Sequence, residues 1–96
     1  MVEVLKSDVF AKWLDGLKDR RAAARIIIRI ERLAQGNPGD VKPVGAGVSE
    51  LRVDYGPGYR IYLGRKDETV VILLCGGDKT TQKKDIAKAI KMAGRL

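Results

Sequence analysis

Histidine is absent from this chain of 96 residues. The side chain that ordinarily titrates near neutrality is therefore missing, and any proton transfer must use other groups. A single cysteine, Cys75, cannot form an internal disulfide, so the usual mark of a secreted small domain is missing too. Cys75 ends the apolar run Val70-Val71-Ile72-Leu73-Leu74-Cys75, which is a setting for a buried, inert thiol, and no imidazole exists to activate it. The carboxylates are scattered without a repeated ligand spacing, so neither a metal nor any other cofactor is expected. No nucleotide-binding glycine loop occurs. No apolar run approaches the roughly 20 residues that span a bilayer, and no apolar leader opens the chain. A cytoplasmic protein is expected.

What the chain does contain is apolar material and positive charge. Hydrophobic residues make up 45% of the sequence, enough to bury a core, and the length suits one domain over residues 1–96. Nineteen Lys and Arg against twelve Asp and Glu leave a net charge of +7. Such a field favours polyanions: nucleic acid, the ribosome, an anionic lipid surface or an acidic protein. The bland alternative is a basic surface that only keeps the protein soluble.

Val2 to Leu5 alternate weakly and predict a short first strand. Ser7 suits the N-cap of a helix whose buried face carries Phe10, Trp13, Leu14 and Leu17 at i, i+3, i+4 and i+7. After a break at Gly16 to Asp19, a second helix is predicted to about Gln35, with Ala23, Ile26, Ile27, Ile30 and Leu33 inward. Arg21, Arg25, Arg29 and Arg32 recur on its other side, either as a solvated face or as a stripe for an acidic partner or RNA backbone. Gly36-Asn37-Pro38-Gly39 ends this helix, and the short break at Gly16 to Asp19 predicts that the two helices form an antiparallel hairpin. Asp40 to Gly47 reads as irregular.

Alternation then begins. Leu51, Val53 and Tyr55 share one parity with Tyr59, Ile61 and Leu63, whereas Arg52 shares the other with Arg60 and Tyr62. Lys66 to Thr69 make a turn, and the apolar run from Val70 reads as a strand covered on both faces. Gly76-Gly77-Asp78 is expected to bend the chain into a lysine-rich last helix. The predicted fold is α+β, ordered β-α-α-β-β-β-α, with helices on one side of a mostly antiparallel four-stranded sheet.

The hairpin around Gly56-Pro57-Gly58 admits two registers. Pairing Tyr55 with Tyr59 sets Asp54 against Arg60 and Arg52 against Tyr62. A shift of two residues sets Arg52 against Arg60, which costs stability unless an anion lies between them. In both, the arginines share a sheet face. The joint into the last helix adds backbone N–H groups and Lys79, Thr80 and Thr81, so that a phosphate-binding concavity is expected there.

These segments resemble a known family. The runs Glu50-Leu51-Arg52, Asp54-Tyr55-Gly56-Pro57-Gly58-Tyr59-Arg60-Ile61-Tyr62, Leu73-Leu74-Cys75-Gly76-Gly77-Asp78-Lys79 and Gln82-Lys83-Lys84-Asp85-Ile86 are similar to addiction-module killer proteins. These are HigB-like, phage Gp49-like members of the RelE/ParE toxin superfamily. The resemblance covers almost the whole chain and implies a RelE-like fold and a type II toxin. Its partner would be a cognate antitoxin, often a HigA-like helix-turn-helix protein encoded next door. RelE-like toxins cleave mRNA on the ribosome, whereas ParE-like relatives poison DNA gyrase. A degenerate toxin that retains only antitoxin binding is a further alternative.

The resemblance assigns roles residue by residue. Arg60 matches a catalytic arginine and Arg52 one of two basic residues on the preceding strand, while Lys79 falls near a basic cluster after the last strand. Glu50 stands where the other strand base belongs, and Ile86 or nothing stands for the C-terminal tyrosine of RelE. RNA cleavage needs a base for the 2′-OH, charge stabilisation at the phosphorane and an acid for the 5′-oxygen. Arg60 and Arg52 would hold the phosphate through their forked donors, and Lys79 or Lys83 would move protons. Tyr59 or Tyr62 would stack on a base or assist. Parity places Tyr62 with the arginines and Tyr59 with the core. Lys84 and Thr80 complete the RNA-contacting set.

Overall fold

The computed structural model describes residues 1–96. Strand β1 (Glu3–Lys6) leads into helices α1 (Asp8–Asp15) and α2 (Arg20–Ala34). Four strands follow: β2 (Val41–Gly45), β3 (Val48–Val53), β4 (Tyr59–Asp67) and β5 (Val70–Gly77). A single 3-10 turn (Lys79–Thr81) then opens helix α3 (Gln82–Ala93).

The α+β class and the three helices are as expected, but the sheet has five strands rather than four, in the order β1-β5-β4-β3-β2. The extra strand is β2, which lies in the segment read as irregular. It is an edge strand with a register shift between Pro43 and Gly45. An edge position tolerates the missing N–H of Pro43, so the Gly/Pro content that signals a loop also suits a bulged edge. β1 joins the opposite edge parallel to β5, and the other neighbours pair antiparallel.

The helices occupy both faces of the sheet, not one. α1 and α2 cover the larger core, where Phe10, Leu14, Ile26, Ile30 and Leu33 meet Leu51, Val53, Ile61, Val71 and Leu73. α3 lies on the other face and packs through Ala89 over Val48, Tyr62, Leu74 and Cys75. A register shift between Tyr62 and Leu63 leaves Leu74 as an extra residue, so that the consecutive Leu74 and Cys75 both serve the α3 core while Leu73 serves the larger one.

The caps explain where the helices begin. The Ser7 hydroxyl accepts a hydrogen bond from the Phe10 N–H at 3.0 Å and donates to the Leu74 carbonyl at 2.6 Å, tying α1 to β5. One Asp19 carboxylate oxygen accepts from the N–H groups of Arg21 and Ala22 at 3.0 and 3.1 Å. The inward arc of α2 is narrower than its apolar pattern suggests: Ala22 is buried, and Ile27, expected inside, is 44% exposed.

Gly76 and Gly77 do not form the expected turn. Both lie within β5, neither has a positive φ, and the chain turns only after the extended Asp78, in the 3-10 segment Lys79–Thr81. Their lack of a side chain is what matters. A Cβ on Gly76 would overlap the Trp13 indole, and one on Gly77 would overlap the Asp85 carboxylate.

Candidate functional site

The hairpin adopts the shifted register. Val53 pairs with Tyr59, Arg52 with Arg60 and Glu50 with Tyr62. The connection Asp54–Gly58 is five residues long, and Gly56 and Gly58 take φ values of 56° and 80°, a region that glycine enters without steric cost. Two arginines thus face each other across antiparallel strands.

The anion that makes this tolerable belongs to the chain itself. Glu50, on the same face, has no exposed surface. One of its carboxylate oxygens accepts from Arg52 Nε at 3.0 Å. The other accepts from the Tyr62 hydroxyl at 3.0 Å and from Gln82 Nε2 at 2.9 Å, and lies 3.6 Å from Arg60 Nε. The last separation suits an ion pair but exceeds a good hydrogen bond, and Arg60 Nε has no hydrogen-bond partner. Burial pushes the Glu50 carboxyl up, but donors Gln82, Arg52 and Tyr62 and the Arg60 charge outweigh it, leaving the group below the ordinary carboxylate range. Gln82 reaches this cluster from α3, so that helix and the hairpin share one polar centre. Glu50 lies two residues before Arg52 on β3, a spacing that puts both on one sheet face. Gln82 had no such signal, because its strand partner lies 32 positions away.

Each residue expected at the site has a definite place. Arg52 and Arg60 line a cavity of about 290 Å³ together with Asp40, Val53, Asp54, Gly58 and Tyr59. The Arg60 side chain is 11% exposed and that of Arg52 35%. Arg60 also donates from Nη1 to the Gly58 carbonyl at 2.8 Å. Gly58, part of that lining, is flanked by the Arg60 guanidinium and the Lys79 stem, so Lys79 stands next to the cavity without lining it. Thr80, Lys83 and Lys84 are exposed around a second hollow that begins at Lys79. Tyr59 sits at the core boundary, its ring edge-on to Trp13 with centroids 6.2 Å apart.

Tyr62 lies beneath the arginines rather than beside the cavity. It is fully buried, and burial and its hydrogen bond to Glu50 both push its hydroxyl above the ordinary phenol range. Two backbone donors of the β5–α3 joint are occupied: Thr80 N–H donates to the Asp78 carboxylate at 2.8 Å and Thr81 N–H to the Asp78 carbonyl at 3.3 Å. Thr81 makes no side-chain cap to the first turn of α3. Cys75 is 2% exposed, and burial followed by the Asp85 charge pushes its thiol up to about 11.

Residues 12–96, which carry this arrangement, match the family described as phage derived protein Gp49-like. The chain belongs to the Gp49-like family. The match begins inside α1 and takes in the whole Arg52–Arg60–Glu50 cluster; β1, the α1 cap and the first half of α1 lie outside it. A protein of Haemophilus influenzae described as uncharacterized is 50% identical over 95 residues, covering 99% of this chain and 96% of that protein. Gp49-like proteins are associated with toxin–antitoxin modules. In this Gp49-like chain α2 is tied to the strand that carries the cavity: Arg29 Nη1 donates to the Arg52 carbonyl at 2.6 Å and Arg29 Nη2 to the Pro38 carbonyl at 3.3 Å. Arg25 lies 4.5 Å over the Tyr55 ring centroid.

Proposed function

We propose that this Gp49-like protein is the toxin of a type II toxin–antitoxin module, cleaving mRNA on the ribosome without a metal ion and thereby stopping translation. The observation that carries the reading is the pair Arg52 and Arg60, set opposite each other at one cavity, with the Lys79 stem beside Gly58 of its lining. Phosphorane formation concentrates negative charge on the non-bridging oxygens, and fixed guanidinium donors stabilise it without reorganising at the moment of reaction. Glu50 from below fixes Arg52 through its Nε and neutralises part of the pair's mutual repulsion. Arg60 is held by the Gly58 carbonyl. Their remaining donors are left for a phosphate.

In this mechanism Arg60 and Arg52 hold the scissile phosphate and Lys79, next to the cavity, exchanges protons. Lys83, Lys84 and Thr80 bind the flanking backbone, and Tyr59 closes the cavity wall. Tyr62 supports Glu50 rather than donating a proton, since it is buried and hydrogen-bonded. A neutralising antitoxin in the same cytoplasm completes the system.

The experiment is induced expression of the wild type and of Arg60→Ala, with 5′-end mapping of cellular mRNA. In-frame cleavage ends with the wild type, reduced about 100-fold or more in the variant, are expected from loss of one transition-state donor. Growth arrest with intact mRNA overturns the nuclease reading. One observation favours a second one: the tyrosine on the arginine face has no open path to a substrate. A toxin that works by binding, as ParE-like gyrase inhibitors do, needs no such acid, and intact mRNA with stalled gyrase would move that reading to the front.

A further inference from the structure

Arg21, Arg25, Ile28 and Arg32 stand at i, i+4, i+7 and i+11 on α2, which aligns them along one side of the helix. All four are exposed. Ile28 is 46% and its neighbour Ile27 44% exposed, unusual for isoleucine on a helix whose opposite face is fully packed. Between this stripe and the end of β3 runs a groove of about 290 Å³ lined by Arg25, Ile28, Arg29, Arg32, Val53 and Asp54. Val53 and Asp54 also line the cavity that holds Arg52 and Arg60, so the groove leads into the candidate site.

We propose that this groove is the docking surface for an acidic, amphipathic segment of a partner protein, which runs along α2 and reaches the Arg52–Arg60 cavity. The partner's chemistry follows from charge and shape. α2 carries five arginines and one glutamate, so carboxylates are the complement. A second copy of the chain would set arginines against arginines. RNA backbone would suit the arginines but gain nothing from two exposed isoleucines, whereas an apolar side chain of a peptide segment covers Ile28 directly. An anionic bilayer rewards a broad apolar face lying flat, not two isoleucines beside a concave groove. The groove is also preorganised: Arg25 is held over Tyr55 and Arg29 is tied to two backbone carbonyls, so less ordering is needed on binding.

This proposal rests on the toxin reading in one respect, that the partner to test is the antitoxin. The full chain is co-expressed with the protein encoded by the adjoining gene, and the dissociation constant of the complex is measured for wild type, Ile28→Glu and Arg25→Glu/Arg32→Glu. Lys88→Glu, on α3 across the sheet, is the control, and circular dichroism checks that each variant is folded. The two α2 variants are expected to weaken the complex about 100-fold, as loss of interfacial charge pairs and an apolar anchor does. The control is expected to be unchanged, and amide exchange over residues 21–32 is expected to slow in the complex. Unchanged affinity in the α2 variants, no complex with the wild type, or protection confined to β3 and β4 overturns the docking surface. So does displacement of the partner by a single-stranded RNA 20-mer or by phosphatidylserine vesicles, when Ile28→Glu abolishes their binding. The two readings fail separately. Neutralised growth arrest with intact α2-variant affinity removes this inference alone, whereas a tight α2-dependent complex without growth arrest removes the toxin reading alone.

Discussion

Glu50 is the residue on which the hairpin turns, because it lies beneath two arginines that would otherwise repel each other. Changing it to glutamine keeps its size and removes its charge, leaving the largely buried Arg60 guanidinium uncompensated. Breaking a buried pair from one side costs on the order of 3–5 kcal/mol, and the partial exposure of Arg52 argues for the lower end. Urea unfolding at neutral pH measures this directly, and a cost below about 1 kcal/mol would show that the carboxylate is not the anchor. The pH dependence has a definite sign. The folded-state value of Glu50 lies below its ordinary 4.5, so its stabilisation is fully present above that value. It is lost as pH falls through the depressed folded value. Wild type should therefore lose stability more steeply than Glu50→Gln below about pH 4.5. Tyr62 supplies a companion test. Tyr62→Phe removes one donor to Glu50 and is expected to cost about 1 kcal/mol, while mRNA cleavage stays within a few-fold of wild type. Abolished cleavage at unchanged stability would return the tyrosine to the chemistry.

At the scale of elements, α1 meets β5 where the Trp13 indole packs directly over Gly76. A methyl group there would overlap a rigid ring held between Phe10 and Tyr59, so the helix itself has to move. Gly76→Ala should destabilise the protein by about 1–3 kcal/mol, the usual range for overpacking, with a shift in tryptophan emission. A neutral result would mean that α1 is loosely seated. This contact shows what a sequence can and cannot disclose. Periodicity revealed the buried faces of α1 and α2 and the parity that unites Arg52, Arg60 and Tyr62, because those depend on neighbours a few residues apart. It did not reveal that Gly76 and Gly77 make room rather than a turn, since their partners, Trp13 and Asp85, are distant or on another element. Nor did it reveal β2, whose edge position tolerates a proline that argues against any inner strand. The hairpin register was open because both alternatives keep the arginines on one face. What closes it is Glu50, buried by a helix whose choice of sheet face no local pattern encodes.

At the scale of the whole molecule, the charge of +7 is not gathered on one side. The five arginines of α2 and the four lysines of α3 lie on opposite faces of the sheet, so a polyanion is attracted to both faces. Bare affinity for RNA therefore says little about where RNA binds. The salt dependence of that affinity says more, because each phosphate neutralised on a single strand contributes about 0.7 to the slope of log K against log salt concentration. If Arg60 and Arg52 both grip phosphates, Arg60→Ala should reduce the slope by about 0.7, and adding Arg52→Ala should reduce it by about 1.4 in total. Arg21→Ala, on the α2 face assigned to a protein partner, should leave the slope where it was. Binding of a short single-stranded RNA between 50 and 200 mM salt, on the order of the range over which such slopes are read, separates the possibilities. An equal loss from Arg21→Ala would mean that RNA runs along α2, and the division of labour between the two faces would fall. A slope untouched by Arg60→Ala would leave the arginine pair a structural device centred on Glu50, and the toxin would have to act by binding alone.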